Sequence, residues 1–208
     1  MRRTLSGLVA ILLLCSCSSL TDYDGTPLPT PVDAGLFVPD SAHLLSQVAA
    51  DLDTDGKLEH VIMAGFGGCH QQLGYDRLQL FVIEPDRGPD HAIAFQSEAL
   101  AGDRAEALWL ADINADSYTE ILSVQALGAS GETLYVLAWQ DGAFVFLCPQ
   151  GGQFDGLDHF GDNGVRIDDL NGDGKLEILA RYGAAASQLD VYRWDGSRYV
   201  YIETQLEP

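Results

Sequence analysis

One nine-residue acidic pattern occurs three times in the chain, and it limits the possible folds more than any other feature. Each copy has Asp at positions 1 and 5, Asp or Asn at position 3 and Glu at position 9, with Leu or Ile at position 2. The copies span 51–59, 112–120 and 169–177, a nearly constant interval, and a short apolar run follows each one. A repeat of fixed period predicts an array of similar structural units.

The spacing of the acidic residues predicts coordination of a hard cation. Side-chain oxygens at positions 1, 3 and 5, a backbone carbonyl at position 7 and the acid at position 9 can surround one Ca²⁺, which takes six to eight oxygens in flexible geometry. We therefore expect up to three Ca²⁺ ions. The predicted ligands are Asp51, Asp53, Asp55, Lys57 and Glu59 in loop 1; Asp112, Asn114, Asp116, Tyr118 and Glu120 in loop 2; and Asp169, Asn171, Asp173, Lys175 and Glu177 in loop 3.

Position 6 of the pattern ranks the three predicted sites. Gly56 and Gly174 stand where the chain must turn sharply, whereas Ser117 takes that position in loop 2. A residue with a side chain is strained in a turn that glycine tolerates. The loop that begins at Asp112 is therefore expected to be the weakest site.

Two alternatives to these calcium loops follow from the residues. An EF-hand needs a bidentate Glu at position 12 between two helices. Position 12 is Ile62, Ser123 or Ala180 here, and the flanking runs are short and β-like. Acidic turns that arise by chance in an acidic protein are the second alternative, which three copies in register disfavour.

The segments between the acidic loops predict an all-β fold. The stretch 134–147 resembles 189–202, and each consists of two β-rich runs separated by an Asp-Gly turn. An Asp-Gly pair between apolar runs is a strong short-range signal for a β-hairpin. Each unit should therefore hold three or four antiparallel strands. Their Tyr and Trp residues suit core packing, with stacking on sugar rings as the alternative.

These loops and hairpins together resemble the FG-GAP or VCBS repeats of integrin-like β-propellers. The resemblance covers residues 41–208, with repeats at about 41–100, 101–160 and 161–208. It implies an all-β, propeller-like array of about three antiparallel blades, with Ca²⁺ bound in the acidic loops. Such propellers usually have more blades, so a three-blade array must close tightly, cap its edges or complete itself with another copy as a homo-oligomer.

The N-terminus predicts export and a lipid anchor. Arg2 and Arg3 precede a short apolar run, which is too short to span a bilayer. The Leu-Cys-Ser-Cys sequence that ends at Cys17 resembles a bacterial lipoprotein signal, with an ordinary secretory signal as the alternative. We expect a signal peptide over 1–16, lipidation of Cys17, a Pro-rich tether over 17–40 and a location in the cell envelope, at the outer membrane if the organism has one.

Two cysteines fall in the expected folded part of the exported chain. Cys69 and Cys148 could form a disulfide in an oxidising compartment or remain as two buried thiols. The sequence favours neither the disulfide nor the pair of buried thiols.

Charge and motif content limit the function. A net charge of −20 argues against nucleic acid as a partner. No set of residues suggests a nucleophile with its base, which favours a non-enzymatic binding module at the cell surface with a glycan or a protein as ligand. An enzyme, or an accessory subunit of a polysaccharide-processing complex on the same scaffold, is the alternative.

Overall fold

The computed structural model describes residues 33, 36–67, 74–88, 92–128, 131–148, 157–160, 164–182 and 188–206. All of them belong to one compact unit, Val32–Pro208. These residues form β-strands and turns without an α-helix, so the expected all-β class is confirmed. Within the same ranges there is no helix long and apolar enough to cross a membrane.

The described strands form three antiparallel sheets. Sheet 1 contains β1 (Ala42–Ala50), β2 (Glu59–Phe66), β3 (Arg77–Ile83) and β4 (Ile93–Gln96). Sheet 2 contains β5 (Arg104–Ala111), β6 (Glu120–Leu127), β7 (Gly131–Gln140) and β8 (Ala143–Phe146), with β9 (Leu157–Phe160) added on β7. Sheet 3 contains β10 (Val165–Asp168), β11 (Glu177–Tyr182), β12 (Gln188–Trp194) and β13 (Tyr199–Leu206).

Each sheet has the same strand order as the sequence, and none of the three closes on itself. The acidic loops join the first strand to the second in every sheet, so that each loop lies at the same end of its sheet. Sheet 2 differs because two short strands pair with the same edge of β7. β8 pairs with the C-terminal part of β7, and β9 pairs with its N-terminal part. Gln140 pairs with Ala143 of β8, and Gly131 pairs with Phe160 of β9.

The Asp-Gly sequences form the hairpin turns that the sequence predicts. Gln140 pairs with Ala143 across the two-residue turn Asp141-Gly142. Both turn residues have positive φ, 51° and 85°, as a type I′ turn requires. The β12–β13 turn is longer, and there Oδ1 of Asp195 accepts the backbone amides of Ser197 and Arg198 at 2.8 and 2.9 Å.

Consecutive sheets share apolar clusters. Sheets 1 and 2 contribute to one buried cluster that includes Leu80 and Tyr135, and sheets 2 and 3 contribute to a second that includes Leu122 and Ile178. A third cluster covers the other face of sheet 1, where Phe81 is buried. Alternate residues along the central strands therefore face different clusters, as the two-residue period of a strand requires.

The exposure of the apolar residue at position 2 of each acidic loop depends on whether another sheet packs against that loop. Leu52 is 0 % exposed in the cluster between sheets 1 and 2, and Ile113 is 1 % exposed in the cluster between sheets 2 and 3. Leu170, at the same position of loop 3, is 41 % exposed. The residue therefore anchors a loop only where another sheet packs over it.

The N-terminal segments assigned from the sequence are mostly outside the described residues. The signal peptide 1–16, Cys17 and most of the tether 17–40 lie there. Within the range assigned to the tether, Val38 is buried and Phe37 packs beside it against sheet 1. The packed part of the chain thus includes residues that precede β1.

Candidate functional site: the three acidic loops

The three acidic loops have the same internal hydrogen bonds. The carboxylate at position 1 accepts the backbone amide of position 6 in every copy. These bonds are Gly56 N to Asp51 Oδ2 at 3.0 Å, Ser117 N to Asp112 Oδ2 at 3.1 Å and Gly174 N to Asp169 Oδ2 at 3.0 Å. Equal geometry in three separate segments indicates that the nine-residue pattern itself directs the loop.

Positions 3 and 5 continue the same arrangement. The side-chain oxygen at position 3 accepts the amide of position 5, and the carboxylate at position 5 accepts the amide of position 7. In loop 1 these bonds are Asp55 N to Asp53 Oδ1 at 3.0 Å and Lys57 N to Asp55 Oδ1 at 2.9 Å. Loops 2 and 3 repeat both bonds at 2.8 to 2.9 Å. Such Asx turns allow a short acidic segment to fold back on itself.

The glutamate at position 9 closes each loop. Its Oε2 accepts the backbone amide of position 2, at 2.6 Å for Leu52 to Glu59, 2.8 Å for Ile113 to Glu120 and 2.9 Å for Leu170 to Glu177. All three glutamates are buried, with exposures of 2 % or less. This bond joins the two ends of the loop and holds a carboxylate beneath it.

Two positions of each loop have left-handed backbone. Position 6 has φ of 85°, 74° and 84° at Gly56, Ser117 and Gly174, so Ser117 has the left-handed backbone that disfavours a Cβ. Position 4 is left-handed as well, at Thr54, Ala115 and Gly172, with φ of 63°, 59° and 76°. The sequence analysis did not predict left-handed backbone at position 4, although the glycine at position 4 of loop 3, Gly172, was a signal for it.

Loop 1 brings three carboxylates together. One oxygen each of Asp51, Asp53 and Glu59 lies within 4.8 Å of the other two. Oxygens that share one Ca²⁺ at about 2.3 to 2.6 Å can be at most about 5 Å apart, so these three fit a single ion. Oδ1 of Asp51 is buried and has no hydrogen-bond partner among the described residues.

Asp55 lies outside that triad. Its carboxylate is 3.4 Å from Nζ of Lys57, which also forms an ion pair with Asp86 on the turn after β3. Lys57 can offer a cation only its backbone carbonyl, as the sequence predicts for position 7. Its ammonium group instead neutralises part of the exposed side of the loop.

Loops 2 and 3 contain an amide where loop 1 has Asp53. Nδ2 of Asn114 donates to Asp116 at 3.0 Å and to Glu120 at 3.1 Å. In loop 3, Nδ2 of Asn171 likewise donates to Asp173 at 3.1 Å and to Glu177 at 3.0 Å. The amide therefore joins the carboxylates of positions 5 and 9, which a cation would otherwise have to join.

Burial and mutual repulsion raise the pKa of two closing glutamates. The pKa of Glu59 rises to about 7, mainly because burial disfavours its charge, with further contributions from the carboxylates of Asp53 and Glu84. The pKa of Glu120 also rises to about 7, again mainly through burial and then through Asp116 and Asp112. Loops 1 and 2 thus concentrate negative charge that a cation would stabilise.

The residue across the sheet from the closing glutamate differs among the three loops. His60 pairs with Ile83, so Glu59 and Glu84 are the next residues on the two strands. Extending the β6–β7 pair by one residue in the same way places Ala138 opposite Glu120. Extending the β11–β12 pair places Arg193 opposite Glu177. Nε of Arg193 donates to Glu177 Oε1 at 2.7 Å. Sequence reasoning missed Glu84 and Arg193, because neither belongs to the repeated pattern.

Of the two cysteines expected in the folded part, the structure describes Cys148. Cys148 is 3 % exposed in the cluster between sheets 2 and 3, and it has no disulfide partner among the described residues. Burial raises the pKa of this thiol to about 12. Cys69 lies outside the described residues, so a disulfide between the two stays a prediction.

A polar groove lies beside loop 2. It has a volume of about 500 Å³ and is bounded by loop 2, by the β7–β8 turn and by the β12–β13 turn. Its lining includes Asp116, Tyr118, Trp139, Asp141 and Ser197. The groove combines aromatic rings with carboxylates and amides.

The hairpin aromatics divide between core and surface. Tyr135 and Tyr199 are fully buried, whereas Trp139 packs edge-on against Phe144 with ring centroids 4.9 Å apart and remains partly exposed. Tyr201 is 53 % exposed. Core packing therefore accounts for most of these residues, and Trp139 also lines the groove.

Comparison with known proteins gives no family for the chain: no family model matches it, and neither a curated protein nor a solved structure matches it significantly.

Proposed function

We propose that the chain is an exported, lipid-anchored protein whose acidic loops bind Ca²⁺ and whose β-repeat domain is a non-enzymatic binding module at the cell envelope. The observation that carries the proposal is the convergence of Asp51, Asp53 and Glu59 in loop 1. Three such carboxylates at a spacing that suits one hard cation favour an ion there, and Oδ1 of Asp51 is buried without a hydrogen-bond partner in the part of the chain that the structure describes.

Calcium binding is tested by titration calorimetry and by thermal unfolding with and without chelator. A site with a dissociation constant of about 10⁻⁴ M would stabilise the fold by about 1.4 kcal/mol at millimolar Ca²⁺. Asp51→Asn should abolish binding in loop 1, whereas Asp40→Asn, which removes an exposed charge outside the loops, should leave it unchanged. A wild-type protein with no measurable Ca²⁺ binding would leave the loops as acidic turns.

We further propose that the three sheets form a propeller-like array. Consecutive sheets share apolar clusters, and the acidic loops lie at equivalent ends, both of which suit repeated blades. The exposed Leu170 at the end of the array is where another copy could pack in a homo-oligomer. Sedimentation of the protein at several concentrations tests that association, and a monomer throughout would contradict it.

The groove beside loop 2 is the proposed ligand surface. Aromatic faces suit the apolar side of a sugar ring, and carboxylates and amides suit its hydroxyl groups, so a glycan is the ligand class that fits best. A glycan array with and without Ca²⁺ tests this. Tyr118→Ala should remove the signal and Tyr201→Ala, at an exposed site outside the groove, should retain it.

The same groove supports the second candidate function. Asp116 and Asp141 offer two carboxylates beside the aromatic side chains, and paired carboxylates are the machinery of glycoside hydrolysis. Turnover of any glycan that binds in the array would favour an enzyme or a subunit of a polysaccharide-processing complex. Binding without turnover supports the binding module.

The proposed membrane anchor rests on the sequence that ends at Cys17. Intact-mass analysis of the protein extracted from membranes should show two or three acyl chains on that cysteine. A soluble exported form that begins at another residue would contradict lipidation.

A further inference from the structure

We infer that the residue across the sheet from the closing glutamate decides which acidic loop holds a cation: Glu84 makes loop 1 a divalent-cation site, and Arg193 supplies loop 3 with its own positive charge. The inference deepens the calcium binding proposed above and rests on it for loop 1. In loop 3 the positive charge belongs to the chain itself, so the role of Arg193 is tested separately from calcium binding by the wild-type protein.

The case for loop 3 is the contact between Arg193 and Glu177. Nε of Arg193 is 2.7 Å from Oε1 of Glu177, a carboxylate that is 1 % exposed. The same oxygen accepts the amide of Asn171 at 3.0 Å, and Oε2 accepts the amide of Leu170. Both oxygens of the closing glutamate are thus satisfied by donors of the chain, and a charged donor is the strongest of them.

The case for loop 1 is the opposite charge at the same position. Glu84 is 5 % exposed, and its Oε1 is buried without a hydrogen-bond partner among the described residues. Arg87 forms an ion pair with the other oxygen of Glu84. Glu84 lies opposite Glu59 at the end of the neighbouring strand, and the negative charges of Glu59 and Asp53 repel that of Glu84. Arg87 offsets the charge of only one of the three carboxylates of Glu84, Glu59 and Asp53, so the group keeps a net negative charge that an ion in loop 1 would balance.

Loop 2 is intermediate because Ala138 brings no charge to this position. Its three carboxylates have the Asn114 amide between two of them, but no cationic side chain replaces Ala138. Affinity for Ca²⁺ should therefore fall from loop 1 to loop 2 to loop 3. Loop 2 lacks the glycine at position 6, which by itself predicts that loop 2 is the weakest site. The positive charge of Arg193 places loop 3 below it.

The test is Ca²⁺ titration of the full exported chain by calorimetry, combined with thermal unfolding. Arg193→Met should increase the number of Ca²⁺ ions bound per chain by one. In chelator this variant should melt at a lower temperature than the wild type, and millimolar Ca²⁺ should restore the wild-type melting temperature. Arg193→Lys, which keeps the charge, should retain the wild-type stoichiometry. Arg198→Met removes the same charge from an exposed position in the β12–β13 turn and serves as the matched control.

Glu84→Gln should weaken the wild-type site about tenfold, because the charge count of a site sets its calcium affinity. Glu98→Gln, at an exposed position, is its control and should leave affinity unchanged. Unchanged stoichiometry in Arg193→Met, failure of Ca²⁺ to restore its folding, or unchanged affinity in Glu84→Gln would each overturn the inference. A wild-type protein that binds no Ca²⁺ would instead overturn the proposed function, and Arg193→Met would then still decide the case for loop 3.

Discussion

The backbone amide of Leu176 in loop 3 donates to the carbonyl oxygen of Ile113 in loop 2 at 2.8 Å. The hydroxyl of Tyr199 donates to the same oxygen at 3.0 Å, so that one buried carbonyl receives two donors from sheet 3. Ile113 is also the residue whose amide is held by Glu120. The closure of loop 2 and the packing of sheet 3 are therefore coupled through a single residue.

Removing the hydroxyl of Tyr199 should weaken this junction. Tyr199→Phe keeps the buried ring and leaves the Ile113 carbonyl with the Leu176 amide, so we expect a loss of about 1 kcal/mol in the free energy of unfolding. Tyr201→Phe is the control, because its hydroxyl bonds to Thr204 at the exposed surface. Urea unfolding of both variants measures the difference, and equal stability would contradict a structural role for the buried bond.

Position 2 of the acidic loops should matter only where it is covered. Leu52→Ala should cost about 2 to 5 kcal/mol, because its side chain is fully buried between two sheets. Leu170→Ala makes the same chemical change at a side chain that is 41 % exposed and should cost much less. Denaturant unfolding compares the two, and a similar loss for both would show that Leu170 is covered in solution, as in a homo-oligomer.

Ser117→Gly should stabilise loop 2. A left-handed residue with a Cβ costs about 1 to 2 kcal/mol, part of which is offset by the larger entropy of glycine in the unfolded chain, so the expected gain is about 0.5 to 1 kcal/mol. Thermal unfolding in chelator measures it without any contribution from an ion.

Gly174→Ser in loop 3 is the reciprocal control for Ser117→Gly. A Cβ at Gly174 would meet no atom within 4 Å, so its effect comes from the backbone alone. We expect a loss of similar size. A gain from Gly174→Ser, or a loss from Ser117→Gly, would contradict the strain argument.

Cys148 should be inert toward thiol reagents in the folded protein. Burial raises the pKa of its thiol from 9.0 to about 12, so the thiol is protonated at pH 8. The buried protonated thiol contributes to the stability of the fold below pH 9, and this contribution is lost as the pH rises through 12. In a Cys69→Ser variant, alkylation at pH 8 should be at least about 100-fold slower in the folded chain than in urea. Equal rates in both states would show that Cys148 is exposed.

The wild-type exported chain tests the disulfide. Alkylation in urea without reductant should label both Cys69 and Cys148 if they are free, and neither if they are linked. Peptide mapping identifies the labelled residues.

Features whose interactions lie within a few residues follow from the amino-acid sequence alone. The loop bonds from Asp51 to Gly56 and from Glu59 to Leu52 connect residues of one nine-residue pattern, so the same pattern produces the same turn three times. The hairpin at Asp141-Gly142 follows from backbone preferences of two adjacent residues. Repetition of these local signals was enough to predict an all-β fold with acidic loops between its strands.

The residues that face each loop from outside the pattern depend on how the strands and sheets pack. Glu84 and Arg193 take equivalent places opposite Glu59 and Glu177 only because of strand register, which turn lengths and the burial of whole faces set together. The exposure of Leu170, compared with the burial of Leu52, likewise depends on whether another sheet follows. Three loops with nearly the same sequence therefore acquire different charge environments, because those environments come from residues that only the packing of strands and sheets brings together.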